Sequence, residues 1–156
     1  MSTDREINIW LYTSKGQIIF QRQARDKDTF PGLLDATAGG HVEIGEDWLD
    51  AAKKELLEET GLVLDLDKLK FIDQVEVDVL DPKTGNRNHA LQRVYAYLFD
   101  NPLRYLQVET GKAEGFVAWD IDHLLHLSAE DQQQFIFPLV KSVYPRIFME
   151  IQELIK

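Results

Sequence analysis

The stretch GHVEIGEDWLDAAKKELLEETGL, from Gly40 to Leu62, decides how this chain folds. Asp47 suits a helix N-cap, Asp50 a first turn and Gly61 a C-terminal stop, so the spacing predicts a helix from about Asp47 to Thr60. At 3.6 residues per turn, Glu55, Glu58 and Glu59 fall within an arc of roughly 100°. Ala51 shares that arc and leaves it open to approach, while Leu49 and Leu56 point to a neighbouring face expected to pack on a sheet. Like charges three and four residues apart destabilise a helix. Two readings follow. Either the face is simply solvated, or the carboxylates gather around a divalent cation. With no Cys in the chain and no His in the helix, hard oxygen ligands suit Mg2+ or Mn2+. Magnesium typically combines one or two carboxylates with waters and phosphate oxygens.

Outward from the helix, INIWLYT (7–13) and QIIFQR (17–22) are β-rich runs joined at Ser14-Lys15-Gly16, a hairpin pattern. Residues 33–38 (LLDATA) read as a short strand ending at Gly39-Gly40. FIDQVEVDVL (71–80) and ALQRVYAYLF (90–99) form a second hairpin across DPKTGNRNH. Gly115–Trp119 is a short strand, Asp120–His126 a helical turn or two, and Ser128 a cap for another. From Pro138 to Lys156 the pattern is helical, interrupted or kinked at Pro145. Its apolar residues Ile147, Phe148, Ile151 and Leu154 could pack on the chain's own core or on a second subunit, a homodimer. Without repeats or linkers, the expectation is one α+β domain over residues 1–156, with a mixed or antiparallel sheet and helices against it.

The 156 residues carry a net charge of −10, with 44% hydrophobic and 28% charged residues. A diffuse negative surface argues against nucleic acid as a partner, since phosphate backbones demand a basic face. It admits a small phosphorylated substrate, because bound cations invert the local sign. The absence of Cys excludes disulfides, thiolate metal sites and a cysteine nucleophile. MSTDREINIW lacks the features of a signal peptide, and no apolar run approaches the ~20 residues that span a bilayer, so no membrane role and a cytoplasmic location are expected.

The helix and its flanks resemble the signature of the Nudix hydrolases, G-x5-E-x7-R-E-U-x-E-E-x-G-U with U bulky and apolar. The matching positions are Gly40, Glu46, Lys54, Glu55, Leu56, Glu58, Glu59, Gly61 and Leu62, with Lys54 alone departing from the pattern, where Arg is usual. Chance would produce such a match less than roughly once in a million. The resemblance implies a Nudix fold, a mixed β-sheet sandwiched between helices, and a Mg2+-dependent pyrophosphohydrolase of a small-molecule diphosphate substrate. It implies Glu58 and Glu59 as main metal ligands, Glu55 as ligand or general base, and the Gly39 carbonyl as a further ligand. Lys54 would supply the charge of the usual Arg without its bidentate fork.

Family members often recruit a further glutamate from outside the box. Glu114 is the first candidate here and Glu109 the second, each weighed against a plain surface role. Arg22, Arg25 and Lys27 are either loop charge or phosphate contacts at the mouth of the site. Basic residues followed by FPG, LD and GGHV resemble the branch holding isopentenyl-diphosphate isomerase. In that enzyme a catalytic Cys falls where this chain has Gly39, and a glutamate lies near the strand after the box. This chain has no Glu between Pro82 and Val108, so a hydrolase on an isomerase-like frame is expected. His41 is either a metal ligand or a supporting residue. His89, His123 and His126 read as surface, and Trp10, Tyr95 and Tyr97 as core. The alternative to an enzyme is a Nudix-fold nucleotide sensor, although such proteins typically lose box glutamates.

Overall fold

The computed structural model describes residues 4–26, 30–80, 82–136 and 143–156. Alternation of apolar residues governs β1 (Asp4–Tyr12). Ile7, Ile9 and Leu11 enter one core cluster, Trp10 and Tyr12 the other. A turn through Gly16, at φ 89°, leads into β2 (Gln17–Gln23). Then follow β3 (Leu34–Asp35), β4 (Ala38–His41), helix α1 (Trp48–Thr60), and the long hairpin of β5 (Leu69–Leu80) and β6 (Arg87–Leu98). β7 (Ala113–Asp120), two short helices, α2 (Ile121–Leu124) and α3 (Ala129–Gln132), and α4 (Tyr144–Ile155) complete the order.

The sheet runs β3-β2-β1-β6-β5, with β4 paired to β1 and β7 to β2. β1 and β6 are parallel and the other pairs antiparallel, a mixed sheet. On one face Ile9, Leu11, Tyr95 and Tyr97 pack with Ala51, Ala52 and Leu56 of α1. On the other, Trp10 and Phe20 pack with Ile147, Phe148 and Ile151 of α4, the Trp10 ring meeting Phe148 edge-on at 5.2 Å. The sheet is therefore sandwiched between helices, the α+β architecture expected.

Three local expectations change. Pro145 lies in the first turn of α4, where its missing N–H leaves nothing unsatisfied, so it starts this helix rather than kinking it. Residues 137–142, which include the expected helical start at Pro138, lie outside the described residues. Of the four apolar residues there, Ile147, Phe148 and Ile151 are buried against the chain's own core while Leu154 is exposed. The single strand expected at 33–38 is instead two short ones, Leu34–Asp35 on β2 and Ala38–His41 on β1.

Thr37 explains that division. Its fully buried hydroxyl accepts from Leu11 N–H at 2.9 Å and donates to the Ile19 carbonyl, tying β1 to β2. The pairing of β1 with β2 ends at Leu11↔Ile19, whereas Asn8 pairs with Gly39 and Gln21 with Asp35. Thr37 therefore sits at a fork, and a cleft opens between the parted strands. Thr37→Val keeps the shape but orphans two buried backbone groups. Each unmade bond costs about 1–3 kcal/mol, so urea denaturation should show a loss of about 3 kcal/mol.

Candidate active site

Asp47 caps α1, its carboxylate accepting from Leu49 N–H, and Gly61 ends it at φ 78°. The helix meets the sheet through Ala51, Ala52 and Leu56, all fully buried. Leu49, expected to share that face, is 42% exposed, because the two small alanines set the helix's rotation. That rotation turns Glu55 and Glu59 against β4, leaving them 9% and 2% exposed, while Glu58 stays at the solvent edge.

Two glycines make the approach feasible. Gly39 N–H donates to Glu59 Oε2 at 2.6 Å. At Gly40 a Cβ would stand 2.6 Å from the Glu55 carboxyl carbon, so only glycine leaves that carboxylate its place. From the turn before β7, the Lys112 ammonium donates to Glu59 Oε1 and stands 3.6 Å from Glu109 Oε2. Gly39, Gly40, Glu59 and Lys112 line one cleft of about 280 Å3, together with Asn8, Gln21 and Asp35 from the forked strands.

Burial and the charges of Glu59 and Glu58 push the Glu55 carboxyl up to about 7. Burial also raises Glu59, against the opposing pull of Lys112 and the Gly39 N–H. Lys112 is pulled down by burial, but its bond to Glu59 and the charges of Glu59, Glu109 and Glu55 outweigh this and raise it. Among the described residues no three His, Asp or Glu side chains stand together as a ready-made ligand set. Two adjacent buried carboxylates that repel each other, one already holding an ammonium, nonetheless form a donor set that suits a hard cation completed by waters and phosphate oxygens.

The NUDIX domain family matches residues 3–139. This chain belongs to the Nudix family. An uncharacterised Nudix hydrolase of Yersinia pestis is 45% identical over 58 residues, covering 37% of this chain and 32% of that protein. The match thus spans about a third of the length of the first curated relatives. A Deinococcus radiodurans structure superposes with TM-score 0.67 at 21% identity, over 94% of this chain and 81% of that one. The NUDIX domain of Shewanella oneidensis NrtR, complexed with ADP ribose, gives 0.66 at 14%, over 100% and 90%. These two likenesses bear on fold.

In this Nudix domain the box glutamate Glu46 is held beside the helix. Lys54 Nζ reaches Glu46 Oε2 at 3.3 Å, and Glu43 N–H donates to its Oε1 at 3.0 Å. Lys54 thus contacts a box carboxylate, by a single point of charge. Arg5, unflagged by the sequence, donates to the Glu43 and Glu46 carbonyls and lies 5.2 Å from the Trp48 ring, clamping the loop ahead of the helix. Arg22 donates to the Gly32 carbonyl at 3.0 Å. Arg25 is gripped by Glu114, which accepts from its backbone N–H at 3.0 Å and lies 3.4 Å from its Nε, so Glu114 is engaged with the basic loop. Lys27 lies outside the described residues. His41 lines the cleft, its ring 4.0 Å from Glu6, and His89 pairs with Glu76 at 2.6 Å.

Lys112, Asn8, Gln21 and Asp35 were not singled out in the sequence, and no spacing there marks them. The strand fork and the β7 turn bring them to the box.

A pH dependence follows. The unfolded chain ionises Glu55 near 4.5 and the folded chain near 7. Across that window the unfolded state sheds a proton the native state keeps, so stability falls as pH rises. Below 4.5 the cost is absent, and above 7 it is complete at about 3 kcal/mol. In chelator at pH 8, Glu55→Gln should therefore melt above the wild type by roughly 5–10 °C. The difference should shrink toward zero as pH falls to 4.5.

Proposed function

We propose that the chain hydrolyses, with Mg2+, a diphosphate linkage in a nucleoside di- or triphosphate or another nucleoside-diphosphate-linked small molecule. The observation that carries this reading is the buried Glu55–Glu59 pair packed against Gly39 and Gly40 of β4, with the Lys112 ammonium on Glu59 where a cation is wanted. Glu59, Glu58 from the solvent edge and the Gly39 carbonyl hold the metal, for which Mn2+ can substitute. Bound there, Mg2+ supplies Lewis acidity and charge neutralisation to the diphosphate. Glu55, near neutrality in its proton affinity, takes the proton of the attacking water at a carboxylate oxygen. Lys112, and Arg25 held by Glu114, lend positive charge to the phosphates. Arg22, near the end of β2, and Lys27, two residues after Arg25 in the sequence, are the further phosphate contacts of this reading, and Glu114 acts through Arg25.

Gly39 in place of a catalytic cysteine supports hydrolysis over isomerisation. No helix among the described residues is long and apolar enough to cross a membrane.

The test is phosphate and pyrophosphate release from nucleotides, dinucleotides, sugar nucleotides and isopentenyl diphosphate, with Mg2+ or with chelator. Release from a nucleoside-diphosphate compound, abolished by chelator, is expected. Binding without turnover would make the domain a nucleotide sensor, and isomerised isopentenyl diphosphate would make it an isomerase.

A further inference from the structure

The cleft's far wall carries two side chains that the folded protein leaves unsatisfied. Gln21 is 2% exposed and its Nε2 has no hydrogen-bond partner; Asn8 Oδ1 is likewise buried without one. Asn8 lies on β1 and Gln21 on β2, on either side of the fork, and both line the cleft that holds Glu59 and Lys112. An orphaned buried polar group costs about 1–3 kcal/mol, and native proteins keep such groups where something else repays them.

We propose that Asn8 and Gln21 are specificity residues that hydrogen-bond the heterocycle of a nucleotide whose phosphates lie on the Glu55–Glu59 side. The proposal rests on the function proposed above. A side-chain amide offers a donor and an acceptor. Two of them facing one cleft match the adjacent donor and acceptor on the edge of a nucleobase. Asp35, beside them, is fixed by Gln23 Nε2 at 3.1 Å and by Ala36 N–H at 2.7 Å, so the wall is rigid and polar. Ile7, Ala36 and Ala38 are the purely hydrocarbon side chains among the lining residues, too little apolar surface for an isoprenoid tail. A cleft of about 280 Å3 is near the lower end for ligand sites, about 300–1,000 Å3. Sites built to hydrogen-bond a ligand reject analogues lacking the group far more strongly than apolar pockets do, because their own polar atoms are left unpaired.

Binding and stability together test the assignment. Calorimetry in Mg2+ would compare the four ribonucleoside 5′-monophosphates with ribose 5-phosphate, for the wild type, Gln21→Met and Asn8→Leu. The wild type should bind at least one nucleotide tenfold or more tighter than ribose 5-phosphate, and each variant should lose most of that advantage. Without ligand, Gln21→Met should melt at or above the wild-type temperature, since an apolar replacement of similar volume removes an unpaired amide. The assignment is overturned by a wild type with no preference for a base, by variants that keep the preference, or by a Gln21→Met protein that melts well below wild type or fails to fold. These outcomes are separable from hydrolysis. Base preference without turnover would sink the hydrolase and spare the assignment, and turnover with an unchanged preference in the variants would do the reverse.

Discussion

Gly40→Ala should fold with near wild-type stability and lose about 99% of its turnover. The three atoms nearest to the added Cβ all belong to the Glu55 carboxyl, at 2.6 Å to its carbon and to one oxygen and 2.9 Å to the other. That carboxyl is the far end of a flexible side chain, so it can swing away at a stability cost of about 1 kcal/mol or less. Swinging away is what activity cannot tolerate. A misplacement of about 1 Å at a reacting group can cost roughly 10^2-fold. Gly39→Ala is the contrasting variant, since its Cβ would stand 2.8 Å from the Ile7 carbonyl oxygen, and backbone in a sheet cannot step aside. Gly39→Ala should therefore lose stability as well as turnover. Thermal melting beside a phosphate-release assay separates the two. A Gly40→Ala enzyme of full activity would remove Glu55 from the chemistry.

Glu59→Gln should reduce turnover by roughly 10^3-fold, in the range seen when one catalytic group is removed. The amide oxygen can still accept from Gly39 N–H, and burial of a neutral group is easier than burial of a carboxylate. Lys112 loses its closest partner, but its side chain is about a third exposed and can return to water. Stability should then stay within about 1–2 kcal/mol of wild type, well short of the 3–5 typical when a fully buried pair is broken. Single-turnover assays on the most active diphosphate, with melting in chelator, read both quantities. Near-normal turnover in Glu59→Gln would show that this carboxylate holds no metal.

The box helix was legible because its signals are local. A cap at Asp47, a left-handed stop at Gly61 and the carboxylate spacing lie within one short stretch, and the structure keeps all three. The rotation of that helix was less legible. Counting leucines put Leu49 inward, whereas packing was decided by Ala51 and Ala52, which allow the closest approach to the sheet. The opposite wall of the cleft was not legible at all. Asn8, Gln21 and Lys112 sit on separate strands and a turn, and they meet only because Thr37 ends the pairing of β1 with β2. Glu114, the first candidate for a further catalytic glutamate, lies on β7. Its contact with Arg25, two residues past the end of β2, follows from the pairing of β2 with β7, which periodicity cannot foretell.

On the proposed mechanism, Glu55 and Glu59 are kept together despite their repulsion because a divalent cation sits on Glu59 and the water it activates loses its proton to Glu55. Titration of Mn2+ followed by electron paramagnetic resonance, on the wild type and on the Glu55→Gln/Glu59→Gln double variant, tests it most directly. At least one tightly bound Mn2+ is expected in the wild type, displaced by excess Mg2+ and absent from the double variant. Equal Mn2+ binding by both proteins, or none by the wild type with or without nucleotide, would contradict it.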